Sequence, residues 1–250
     1  MKTLRPLIII ATLGLLWQII VWISGAPVYI LPGPMRVIEA WLARPELFLK
    51  HGAITAIEII LGLILGFLLG GTSALSMIYF KPLHRWLMPV LVISQAIPVF
   101  ALAPVLVLWL GYGMASKIAM ATMIIYFPVT AAFFDGLKRT DPGWLDLAHT
   151  MNANPLSIIR HVRIPSALPA LASGLRVAAA VAPIGAIVGE WVGSSEGLGY
   201  LMLYANARLQ IDVLFAALLT LAVLAITLYF TIDKLAKVFI PWQKETLSPY

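Results

Sequence analysis

Residues 141–165 read DPGWLDLAHTMNANPLSIIRHVRIP, a polar insert between two long apolar spans, and its punctuation decides how the rest of the chain is read. Asp141 is placed to cap a helix whose first residue is Pro142, where a missing N–H costs nothing. Asn152 stands where a left-handed C-terminal cap would close that helix, since Asn tolerates positive φ better than most residues. Asn154 and Pro155 then restart a short second helix carrying Leu156, Ile158, Ile159 and Val162, expected to stop before Pro165. The expectation is a helix-turn-helix outside the bilayer, a docking element and not a linker.

The surrounding composition sets the class. Of 250 residues 61% are hydrophobic and 11% charged, and the mean hydropathy is +0.96, far from a soluble balance. With no cysteine there is neither a disulfide framework nor a thiolate metal site. The net charge of +6 is spread over the ends of apolar spans and forms no continuous stripe, so it argues for membrane topology and against nucleic acid. Six spans of bilayer-crossing length are read, at about 7–24, 53–79, 87–110, 118–134, 167–192 and 213–235. The first follows Lys2 and Arg5 but has no small-x-small cleavage site, so it is read as a retained anchor. With the N-terminus inside, Lys2, Arg5, Lys81, Arg85, Lys138, Arg139, Arg160, Arg163, Lys234, Lys237 and Lys244 are cytoplasmic, against Arg36, Arg44, Lys50, Lys117 and Arg208 outside. That assignment puts the insert on the cytoplasmic side.

Between spans, residues 25–51 read as an external loop with a short amphipathic helix near 37–49, and residues 194–210 as a candidate outer re-entrant element. Gly62, Gly66 and Gly70 fall four residues apart, as do Gly185, Gly189 and Gly193, a spacing that lets helix backbones approach closely in lipid. The first row is read as a seam within the chain. Pro98, Pro104, Pro128 and Pro183 are expected to kink or break their spans.

Catalytic chemistry is sought without success. No Gly-Lys dipeptide exists, so the phosphate-binding loop of an ATPase is missing. His51, His84, His149 and His161 lack metal-ligand spacing, and Ser194–Ser195 has no intramembrane His to activate it. Ionisable groups inside spans are the functional candidates that remain. Glu58 is placed one turn into the second span, where water reaches it, and Arg176 lies in the fifth beside the insert. Glu190 followed by Trp191 is the best pathway candidate, because a carboxylate beside an indole can both hydrogen-bond and stack a ring. Gln95, Phe100, Trp109, Tyr126 and Phe127 add polar tips and aromatic faces suited to an intermittently wet passage. An ion-coupled secondary transporter is the competing class, but it would call for a midplane carboxylate or His relay and two repeats, neither of which is apparent.

The insert resembles the cytoplasmic signature of ABC importer permeases, with its slots filled by Asp146, Leu147, Ala148, Asn152, Val162, Ile164 and Pro165. Asp stands for the usual Glu, Leu147 for an Ala and Asn152 for a Gly. The runs LPGP from Leu31, QAIPVFALAPVLVLWLGYG from Gln95 and GEWVGSSEGLGYLM from Gly189 are similar to the nitrate, taurine and aliphatic sulfonate permeases. The last run, with IPWQ near the C-terminus, is most similar to the subgroup for the thiamine pyrimidine precursor hydroxymethylpyrimidine.

The resemblance implies an all-α membrane protein with a type I ABC importer permease bundle of six transmembrane helices, a single domain over 1–250, and a cytoplasmic coupling helix. It implies a bacterial inner-membrane location with both termini cytoplasmic, a second copy of the chain and surrounding lipid. Two ATPase subunits would bind ATP and Mg, this chain holding no cofactor, and an extracytoplasmic binding protein would deliver the solute. It implies ATPase coupling through Trp144, Leu145, Asp146, Ala148, Met151, Asn152, Arg160 and Pro165, and alternating access of a pathway near Gln95, Phe100, Tyr126, Phe127, Glu190 and Trp191. A sulfonate, taurine or nitrate remains an alternative to the pyrimidine.

Overall fold

Rows of small residues set the packing of the three central helices, α3 (Pro45–Tyr79), α6 (Met114–Lys138) and α9 (Ile164–Gly193), in a computed structural model describing residues 4–242, with side chains from Ile8. A Cβ built on Gly62 would stand 2.5 Å from Ala121 Cβ, one on Gly66 2.5 Å from Ile125 Cγ2, and one on Gly70 2.9 Å from Val129 Cγ1. Both numbers of each pair rise together, so α3 and α6 run parallel. From the other side Gly174 faces Pro128 and Ala132, Gly185 faces Ala121, and Gly189 faces Lys117, with one number falling as the other rises. Helix α9 is therefore antiparallel to α6. Both glycine rows pack within the chain, and Ala121 is pressed between them.

Around this core lie α1 (Leu4–Ser24), α2 (Pro34–Ala43), α4 (Lys81–Ser94), α5 (Val99–Leu110), α7 (Pro142–Thr150), α8 (Pro155–Ile158), α10 (Leu198–Ala207) and α11 (Ile211–Phe239). Every regular element among the described residues is helical. Four helical segments are individually long and apolar enough to cross a membrane: Pro45–Tyr79, Met114–Lys138, Pro155–Gly193 and Ile211–Phe239. A fifth crossing requires α4 and α5 together, and Ile8–Ser24 is a shorter apolar helix, so the described residues give four or five spans where six were expected. Lys2, Lys244, the Arg5 side chain and the end of the IPWQ run fall outside the described residues.

Several expectations are corrected. The third span is not continuous: α4 and α5 meet at 102°, because residues 95–98 leave the helix and Pro98 has no N–H with which to bridge the gap. Pro104, Pro128 and Pro183 lie inside helices that run on without a break. The amphipathic helix near the start is Pro34–Ala43, and the second span begins at Pro45 with Phe48 fully buried. At 35 residues α3 is about 52 Å long, well beyond a bilayer core. The candidate re-entrant element is a bend at 194–197 followed by α10, which buries Leu198, Leu201 and Met202 against its neighbours.

The seam gives a direct test. A Cβ on Gly185 would lie 2.7 Å from Ala121 Cα and 3.3 Å from Met120 O, backbone atoms that cannot rotate away, whereas nothing lies within 4 Å of one on Gly71. Gly185→Ala is expected to destabilise the detergent-solubilised protein by about 1–3 kcal/mol, with Gly71→Ala neutral or slightly stabilising. Equal melting temperatures for the two variants would show that the seam does not set the packing.

Candidate functional site at the two ends of the bundle

At one end the insert is built by its own caps. Asp141 Oδ1 accepts from the Gly143 N–H at 2.7 Å, opening α7 as expected. Asn152 closes it at φ 55, with the Asn152 N–H bonded to His149 O and the Ala153 N–H to Ala148 O, the paired bonds of a Schellman cap. Asn154 Oδ1 accepts from the Ser157 N–H at 2.7 Å and starts α8. The expected stop before Pro165 does not occur. A π turn over Ile159–Arg163 carries α8 straight into α9, so Pro155–Gly193 is one 39-residue helical span. The wider turn, with the Ile164 N–H bonded to Ile159 O, accommodates a proline that has no N–H to give. The insert is thus one free helix, α7, hung on the root of a long one.

Helix α7 buries no residue. Trp144, Leu147 and Met151 form a stripe at helical spacing that is 56%, 61% and 74% exposed, beside an open cavity of 670 Å³ reaching Ala148, Pro165 and Trp242. Leu147, larger than the Ala of the resembling pattern, is thus mostly exposed. Leu145 and His149 turn to the other side, toward Ile158 and Arg163. Asp146 and Arg160 are exposed, and Pro165 is half-buried at the root. Arg163 donates to Leu137 O at 2.9 Å, fastening the end of α6 to the start of α9.

At the other end lies a polar network out of solvent. Lys117 Nζ stands 3.1 Å from Glu58 Oε1, and the two side chains are 7% and 0% exposed. The Glu190 carboxyl is the other ionisable group beside Glu58 among the described residues. The Thr55 hydroxyl donates to Glu190 Oε1 at 2.6 Å, and the Gly199 N–H donates to Glu190 Oε2. The Leu198 N–H donates to Thr55 Oγ1 at 2.9 Å, and the Gly197 N–H to His51 Nδ1 at 3.0 Å. Gly197, at φ 106, and Gly199 must be glycine because a Cβ on either would enter the Glu190 carboxyl. The network ties α3, α6, α9 and the start of α10 together.

This placement corrects two expectations. Glu58 is fully buried, nearly four turns into a helix that starts earlier than expected, so water does not reach it. Glu190 has its oxygens occupied by Thr55 and Gly199, while Trp191 faces outward at 50% exposure, so the two do not form a joint ring-binding pair. The other pathway candidates lie at two places, the α4–α5 break and α6. Gln95 and Phe100 are exposed at the α4–α5 break, Tyr126 shares a hydrogen bond with Ser73 at 2.8 Å, and Phe127 packs against the core. Arg176 finds its carboxylate in Asp233, 2.7 Å away.

Lys117 is the residue that sequence reasoning missed, having been counted only as an external charge. A signal existed: Glu58 and Lys117 stand at the same sequence offset as Gly62 and Ala121, so one glycine seam, once paired, also pairs the charges. Removing one partner of a buried pair leaves the other uncompensated. Lys117→Met should therefore cost about 3–5 kcal/mol, and adding Glu58→Gln should recover much of the loss. Thermal unfolding of the two variants measures this, and a tolerated Lys117→Met would exclude a structural role for the pair.

The sequence matches the family model described as "Binding-protein-dependent transport system inner membrane component" over residues 59–245. A Haemophilus influenzae protein described as a probable ABC transporter permease protein is 56% identical over 239 residues, covering 96% of this chain and 98% of that one. The formylaminopyrimidine transport permease protein ThiX of Halalkalibacterium halodurans is 37% identical, covering 98% of each. Among solved structures, the inward-facing MetNI methionine ABC transporter shares the fold at a TM-score of 0.69 and 19% identity, over 78% of this chain and 97% of that one. The architecture is that of a type I ABC importer permease, whose ATPase is a separate subunit, and the chain is not itself an enzyme. The chain belongs to the inner-membrane components of binding-protein-dependent transport systems.

Proposed function

We propose that the chain, read as one permease domain over residues 1–250, pairs with a second copy to form the translocation pathway for a small pyrimidine of the thiamine-precursor type. A binding protein delivers the solute, and two ATPase subunits holding ATP and Mg drive transport through α7. The observation that carries the reading is the α7 stripe: an apolar face of Trp144, Leu147 and Met151, left exposed by the described residues, on a helix with well-made caps at both ends. Such a helix is held in shape for another surface to receive. Asp146 and Arg160 supply charged contacts at its margin, with Leu145, Ala148, Asn152 and Pro165 fixing how it is carried.

Sidedness follows the charges. Lys81, Arg85, Lys138, Arg139, Arg160, Arg163, Lys234 and Lys237 lie on the α7 side of the bundle, against Arg36, Arg44, Lys50, Lys117 and Arg208 on the other. This bias supports a cytoplasmic α7, with both termini on that side. The pyrimidine reading rests on the 37% identity, over nearly the full length of both chains, to the formylaminopyrimidine permease.

Asp146→Arg is expected to abolish substrate-stimulated ATP hydrolysis in proteoliposomes without preventing membrane insertion; full stimulation would remove Asp146 from the docking role. In the unaltered transporter, stimulation by a binding protein loaded with a formylaminopyrimidine and not with taurine is expected. The reverse preference would assign the transporter to sulfonates.

A further inference from the structure

The end of the bundle away from α7 carries a recess that the preceding reading does not use. It measures 410 Å³, and its wall includes Arg44, Lys50, His51, Tyr200, Tyr204 and Arg208. Lys50 is paired with Glu196 at 2.9 Å, and its ammonium holds that carboxyl below the usual carboxylate range. Arg44 and Arg208 have no carboxylate partner among the described residues. The Arg208 guanidinium sits 4.2 Å from the centre of the Tyr204 ring, which fixes its position without neutralising it. Tyr200 lies next in the row, between Tyr204 and the His51 ring.

The base of the recess also offers a donor. His51 is 7% exposed, and its Nδ1 accepts from the Gly197 N–H, so in the neutral ring the proton is on Nε2. Two guanidiniums, an imidazole ring and two phenols thus line a space whose one carboxylate, Glu196, is already paired with Lys50. That is the donor set for an anion, and the guanidinium fork suits a carboxylate in particular. Beneath His51 the way is closed, because Thr55, Glu58 and Glu190 are fully or almost fully buried and bonded to one another's neighbours. An anion entering here has no onward path through this chain, which fits an attachment point and not a passage.

We propose that this recess is a socket for an acidic side chain on the docking face of the extracytoplasmic binding protein, with Arg208 and Arg44 as its charge partners. The proposal rests on the importer reading and on α7 facing the cytoplasm, since the recess then opens on the side from which a binding protein approaches. The socket's base is joined through Gly197, Leu198 and Thr55 to α3 and α9, so the docked side chain sits directly over the junction of the central helices.

The test uses the complete permease–ATPase complex in nanodiscs of phosphatidylcholine, with a fluorescently labelled cognate binding protein. Arg208→Glu, and Arg44→Glu with it, are expected to weaken binding about tenfold or more, with the unaltered complex losing affinity as salt rises. Arg208→Gln, which keeps bulk and polarity, should give a smaller loss, and copurification with the ATPase verifies that each variant is folded. An acid-to-Arg change on the binding protein that restores binding to Arg208→Glu identifies the occupant. Unchanged affinity in the folded double variant overturns the socket while leaving the importer reading intact. An effect seen only when phosphatidylglycerol is added assigns the recess to a lipid headgroup and also overturns it. Failure of the unaltered chain to associate with the ATPase overturns the importer reading itself.

Discussion

The close approach of three backbones at Ala121 is the constraint on which the remaining structure depends. In lipid, helices gain little from hiding apolar surface, so association needs dense contact, and dense contact needs residues without bulk. Gly62 and Gly185 supply it from opposite sides of α6. Once α3 and α9 are that near, the side chains one turn outward have no room for water, and any polar group among them must find its partner there. Glu58 meets Lys117 and Glu190 meets Thr55 for this reason. The buried charges follow from the glycines, and the start of α10 follows from the charges, since the N–H groups of its first turn complete the Thr55–Glu190 pair.

The two ends of the same helices have opposite character. At the insert, α6 and α9 still pack closely, Gly136 against Ala167 and Ala170, with the Arg163–Leu137 bond and the Thr140–Ser166 hydroxyl pair beside them, and α7 projects beyond with no residue buried. At the far end everything is knitted together out of solvent. A transport subunit that receives force at one end and holds its shape at the other would be built this way, with the exposed helix where the ATPase is proposed to act.

Local chemistry was legible in the sequence, and long-range pairing was not. Asp141, Asn152 and Asn154 act as read because a cap depends only on residues two to five positions away. Glycine spacing announced seams but not their partners, and the partner was what buried Glu58. Proline alone does not mark where helices break: 104, 128 and 183 lie inside continuous helices, whereas Pro98 stands in the gap between α4 and α5, just before the first residue of α5. The aromatic and polar residues expected at a pathway lie on or between separate helices, and alternation within one helix carries no information on which faces converge.

The π turn at Ile159–Arg163 makes the orientation of α7 a matter of counting. Such a turn holds one residue more than an α-helical turn of the same rise, and it sits between the free helix and the rod that carries it. Deleting a single residue there would let the segment relax into regular helix and swing everything before it by about 100° around the axis of α9. The stripe of Trp144, Leu147 and Met151 would then face a different quarter of the compass with its own caps untouched. The bearing of the docking face is thus encoded in register, separately from the residues that compose it.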